Sequence, residues 1–101
     1  MLYLNGLVQT AESSRYMVRL CYHFRKKIEV DYDDTHGFAK FPWGVCRLTA
    51  LVDAIQFECE ADDAEKMAQI QYVIDSHVEL FSRKAPMSVK WSAAHVESNR
   101  D

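Results

Sequence analysis

Between Ile28 and Glu60, apolar and polar residues alternate in short runs with few residues between them, and this period of two sets what the chain can fold into. Ile28, Val30 and Tyr32 alternate with Glu29 and Asp31, and Ala39, Phe41 and Trp43 share one face of the next run. Cys46, Leu48, Ala50 and Val52 alternate with Val45, Arg47, Thr49 and Leu51, while Ile55, Phe57 and Cys59 interleave with Gln56, Glu58 and Glu60. The breaks carry turn chemistry. Asp33-Asp34-Thr35-His36-Gly37 has the composition of a turn. Phe41-Pro42-Trp43-Gly44 places proline second and glycine fourth, as a type I turn prefers, and a tight turn falls near Asp53. Short strands joined by such links form an antiparallel meander.

The flanks add two helices and two more strands. Leu2, Leu4, Gly6 and Val8 alternate with Tyr3, Asn5, Leu7 and Gln9, which suits a first strand. Ser13-Ser14 supplies N-cap chemistry before a helix to about Lys27, whose stripe is Tyr16, Met17, Leu20, Phe24 and Ile28. Arg25, Lys26 and Lys27 fall where cations suit a helix end. Ala61-Asp62-Asp63 opens a second helix with the stripe Met67, Ile70, Val73, Ile74, His77 and Phe81; Pro86 stops it. Met87, Val89 and Trp91 then alternate with Ser88, Lys90 and Ser92 as a last strand, and residues 93–101 form a flexible tail behind a single domain over 1–92.

The order β-α-β-β-β-β-α-β, with one apolar face per strand and one apolar stripe per helix, predicts an α+β two-layer sandwich: a mostly antiparallel sheet with both helices on one face. The other face then carries Glu29, Asp31, Lys40, Arg47, Thr49, Gln56, Glu58 and Lys90 among apolar Leu7, Phe38, Val45 and Leu51. A mixed face of this kind suits a homodimer or another protein partner.

Composition excludes several function classes. At 101 residues there is room for one core, and the net charge of −3 opposes a dedicated nucleic-acid binder. The basic first helix, Arg15, Arg19, Arg25, Lys26 and Lys27, reads as a solvated face close to Glu12, Glu29 and Asp31. The longest apolar run is far below the roughly 20 residues of a membrane span, and the N-terminus lacks a secretory leader. Cys21, Cys46 and Cys59 are odd in number and widely spaced, so reduced thiols in a cytoplasmic protein are expected.

No reaction motif is present. The glycines Gly6, Gly37 and Gly44 make no phosphate-binding pattern, and no serine sits in a nucleophile elbow. Cys21 and His23, two apart on a helix, diverge, and no Cys-x-x-Cys or His-x-x-x-His pair exists, so neither a metal nor another cofactor is expected. His77 is expected to point at the sheet from its stripe and to hold a hydrogen bond there. His23, His36, Trp43, Gly44, Cys46 and His77 are the candidates for a pocket at one end of the sheet, with no catalytic residue among them.

The run RYMVRLCYHFRKKIEVDYDDTHGFAKFPWGVCRL, followed by IQYVIDSHVELFSRKAPMSVKW, resembles a bacterial family known as domain of unknown function 2218. Arg15-Tyr16, Leu20-Cys21, His23-Phe24, Gly37, Phe41, Gly44, Cys46, Leu48, His77, Phe81 and Trp91 carry the resemblance, with Met17 and Ser82 as small departures from its usual Leu and Ala. It implies a small bacterial domain without an assigned reaction, and an accessory part in iron acquisition. The expected function is therefore a non-catalytic accessory or protein-interaction module. The alternatives are a small-molecule or metal-binding protein in iron and siderophore handling, using His23, Cys46 and His77, and an enzyme of unknown class.

Overall fold

The period of two between Ile28 and Glu60 becomes four consecutive strands. In the computed structural model, which describes residues 1–81 and 87–93, the order is β1 (Leu2–Gln9), α1 (Ser13–Arg25), β2 (Glu29–Tyr32), β3 (His36–Phe41), β4 (Gly44–Ala50), β5 (Ala54–Ala61), α2 (Ala64–Phe81) and β6 (Lys90–Ala93). The sheet runs β2-β3-β4-β5-β1-β6, and every neighbouring pair is antiparallel. The meander β2–β5 forms four of the six strands among the described residues; β1 lies along its last strand, and β6 pairs with β1 at the far edge. The expected tail beyond Ala93, and Pro86, lie outside the described residues.

Register explains the two faces. Cys46 lies opposite Ala39 and Cys59, and Leu48 opposite Gly37 and Phe57, so the small and apolar side chains of the meander stack on one side. Both helices press their stripes onto it: Met17, Leu20, Cys21 and Phe24 from α1, and Met67, Ile70, Ile74 and Val78 from α2, belong to one buried cluster with Val30, Ala39, Phe41, Cys46, Leu48, Phe57 and Cys59. The chain is thus an α+β sandwich with both helices on one face. Gly6 is small because Trp91 crosses over it: a Cβ there would stand 2.7 Å from the indole ring. The opposite face exposes Asp31, Arg47 and Glu58, with Lys40–Glu29 (3.6 Å) and Arg47–Glu60 (3.0 Å) as cross-strand ion pairs. No helix among the described residues is long and apolar enough to cross a membrane.

Several local expectations are corrected. Glu12, not Ser13 or Ser14, is the N-cap of α1, and no side chain caps it. The serines instead tie the helix start to two turns: Ser13 donates to the Leu51 carbonyl and Ser14 to that of Asp34 (2.6 Å). α2 is capped by a side chain, because the Asp63 carboxylate accepts the Lys66 N–H at 2.8 Å. β4 stops at Ala50, leaving Leu51 and the 95 % exposed Val52 in the following turn rather than on the sheet. Cys21 is fully buried, with its sulfur packed where a Cβ on Gly37 would come within 2.6 Å.

The seam of α2 also shifts. Its buried positions step through Met67, Ile70, Ile74 and Val78, which turns Val73 and His77 onto the flank of the helix. His77 is consequently half-buried and faces α1.

Candidate functional site

Chain segments from three directions meet at one end of the covered face. α1 delivers His23 and Phe24 from its last turn, and the chain leaving it adds Lys26, Lys27 and Ile28. The β3–β4 turn delivers Phe41, Pro42 and Trp43, and the flank of α2 supplies Val73 and His77. Between them lies a cleft of about 400 Å³, within the size range of small-molecule sites.

Its walls are rings in contact. Phe24 meets Phe41 edge-on with centroids 5.5 Å apart, and Phe41 lies nearly parallel to Trp43 at 6.2 Å and 18°. His77 stands edge-on to Phe24 at 5.0 Å and to His23 at 6.5 Å. Phe24 and Phe41 are buried and form the base, whereas Trp43, His23 and His77 are half-buried along the sides. Each contact falls in the 4.5–7 Å range typical of ring pairs, so the base is fixed by packing before any ligand arrives.

Charge is distributed unevenly around these walls. Among the described residues, the titratable groups lining the cleft are His23, Lys26, Lys27 and His77, and its lining includes no carboxylate, thiol or hydroxyl. Loss of water lowers the His23 pKa below its ordinary 6.5, and Lys26, His77 and Arg19 push it the same way. His77 holds its ring through Nδ1, 2.8 Å from the Val73 carbonyl oxygen. A carbonyl can only accept, so Nδ1 carries hydrogen.

Of the residues named from sequence, His23, Trp43 and His77 line this cleft together. The other candidates are placed elsewhere. His36 begins β3 opposite Thr49, where the strand period turns it to the uncovered face; its Nδ1 lies 2.9 Å from the Thr35 hydroxyl. There it borders a second, more open groove of about 540 Å³ with Asp31, Phe38, Arg47 and Glu58. Gly44 serves the backbone: its φ is +157°, and a Cβ would collide with the Glu60 carbonyl oxygen of β5. Cys46 is core, its sulfur 3.4 Å from that of Cys59 directly across the strand pair. Burial raises the Cys46 thiol pKa well above its usual value and moves that of Cys21 to about 11, so neither acts as a nucleophile near neutral pH. Among the described residues no three His, Cys, Asp or Glu side chains come together as metal ligands, and Cys46 is absent from the lining of the cleft.

Sequence reasoning missed Phe24, Phe41, Pro42 and Val73 as cleft residues, and took Lys26 and Lys27 only as helix-end charges. The signal was present in the Phe-Pro-Trp turn, which places an aromatic at either side of a rigid link facing the end of α1.

The family profile described as "Uncharacterized protein conserved in bacteria (DUF2218)" matches residues 5–92. The chain belongs to this family. Among solved structures, the DUF2218 chain is similar to the NMR structure of PA4090 from Pseudomonas aeruginosa, with 27 % identity and a TM-score of 0.76 over 91 % of this chain and 96 % of that one. No curated protein matches it. All the residues that line the cleft fall inside the part matched by the DUF2218 profile.

Proposed function

We propose that this DUF2218 protein is a non-catalytic binding module that takes a small, flat organic molecule into the cleft between the end of α1, the β3–β4 turn and α2. The observation that carries this reading is the continuous ring surface of Phe24, Phe41 and Trp43, preset by mutual packing and left half-open at Trp43. A flat ligand gains by covering that surface, at about 25 cal/mol for each Å² removed from water. Among the described residues the lining holds groups that bind and orient, with no nucleophile paired to a base. Thiols kept buried at positions 21, 46 and 59 suit a reducing, cytoplasmic setting.

Titration of isotopically labelled protein with uncharged 2-naphthol, followed by amide NMR shifts, tests this. Shifts are expected at residues 23–28, 41–43 and 73–77, weakened in Trp43→Ala. Shifts scattered over the surface, or none at millimolar ligand, overturn the reading.

The uncovered face favours a second reading, in which two copies pack there across a twofold axis along the strands. That axis sets Glu29 and Asp31 on the β2 edge of one copy against Lys90 on the β6 edge of the other, and Phe38, Val45 and Leu7 between them. Sedimentation equilibrium should find a dimer that Phe38→Lys dissociates; a monomer at every concentration removes this reading.

A further inference from the structure

We infer that the cleft selects an aromatic monocarboxylate, with its ring against Trp43 and Phe41 and its carboxylate among His23, Lys26 and Lys27, and that His23 takes up a proton as the ligand binds. The inference rests on the binding-module reading and adds to it the charge and protonation state of the ligand.

The cleft is polarised. At the β3–β4 turn it offers hydrocarbon and rings, Phe41, Pro42 and Trp43; at the end of α1 and the flank of α2 the titratable groups lining it, among the described residues, are basic. A ligand with one flat apolar end and one anionic end fits that division in a single orientation, with the lysines as point charges at the mouth. The position at the end of α1 also limits how much negative charge is tolerated. The last carbonyls of α1, at His23 and Phe24, accept the N–H groups of Lys26 (3.2 Å), Lys27 (3.0 Å) and Ile28 (3.0 Å), so the partially negative end of the helix opens here. A diffuse monoanion meets less opposition from it than a phosphate dianion does.

The proton follows from what surrounds His23. α1 brings Arg19, Tyr22, Lys26 and Lys27, α2 brings His77, and the β3–β4 turn brings no titrating side chain. In the empty cleft these cations and the loss of water favour a neutral ring. A carboxylate between them reverses the electrostatic part, so an imidazole nitrogen gains a proton from solvent; no covalent bond forms or breaks in the ligand.

The test is calorimetry with 2-naphthoate and its uncharged isostere 2-naphthamide, at pH 6 and pH 8, in two buffers of different ionisation enthalpy. The carboxylate of the probe, with a pKa of about 4, is charged at both values, so any pH dependence belongs to the protein. Naphthoate should bind about tenfold more tightly at pH 6, with proton uptake read from the buffer difference, while naphthamide shows neither effect. Replacing Lys26 and Lys27 together by glutamine should weaken naphthoate more than naphthamide, and His23→Phe should flatten the pH dependence. If both probes bind equally at both pH values, the charge and proton inference fails while the cleft stands as an apolar site. If neither binds, both readings fail.

Discussion

The rings of His23 and His77 meet edge-on with centroids 6.5 Å apart although one belongs to α1 and the other to α2. Each also anchors to something rigid: His77 to the Val73 carbonyl and the Phe24 ring, His23 to the last turn of α1. The two helices therefore share a polar seam at the mouth of the cleft and an apolar one beneath it. The seam is where protonation, helix packing and ligand entry meet.

His23 is predicted to titrate below 6.5. Water loss is the main cause and Lys26, His77 and Arg19 add to it, so the folded chain binds this proton less readily than the unfolded chain. The stability contributed by the neutral ring is thus present above 6.5 and is lost as pH falls through the lower, folded value. NMR titration of the ring protons reads this directly, and Lys26→Gln should move the midpoint upward. A midpoint at or above 6.5 contradicts the placement.

The thiols should be silent in the native protein. Cys21, Cys46 and Cys59 are buried, and burial moves Cys21 to about 11 and Cys46 upward. At pH 8 iodoacetamide is expected to leave the folded chain unmodified and to label all three cysteines once urea unfolds it. Rapid single labelling of the native chain shows that one thiol is accessible.

Gly44→Ala should destabilise the fold by about 1–3 kcal/mol. The backbone at position 44 lies at φ +157°, and the new methyl meets the Glu60 carbonyl on β5. Urea denaturation would show a lower midpoint with an unchanged slope. An unaltered midpoint means that β4 does not approach β5 in this way.

Ile74 and His77 should respond differently to truncation. Ile74 is fully buried in the α2 seam, so Ile74→Ala is expected to cost about 2–5 kcal/mol. His77 sits on the flank, and His77→Ala should cost clearly less while disturbing the cleft. Equal losses would return His77 to the centre of the stripe.

The strands were readable because alternation is a local signal: Cys46-Arg47-Leu48-Thr49 carries its register in its own residues. Sheet order was less so, since β1 and α1 precede the meander and only tertiary packing sets β1 beside β5. The cleft was half visible. His23, Trp43 and His77 were named from residue type, yet His36 was misjudged because it begins β3 rather than sitting in the turn, and the strand period turns its ring to the other face. Gly44 and Cys46 carried family-like residue identities, but their roles are a backbone approach to β5 and packing against Cys59. The α2 seam was displaced because Val78 directly follows His77, and hydropathy alone does not say which of the two faces the sheet.

Intermolecular NOEs from 2-naphthoate to the protein test the account most directly, because they locate the ligand atom by atom. The expected result at pH 6 is a set of NOEs from the naphthalene protons to the Trp43 and Phe41 rings, with the carboxylate-proximal proton close to His23. NOEs to Phe38 and Leu7 on the uncovered face, or no contact with the cleft at saturating ligand, would contradict it.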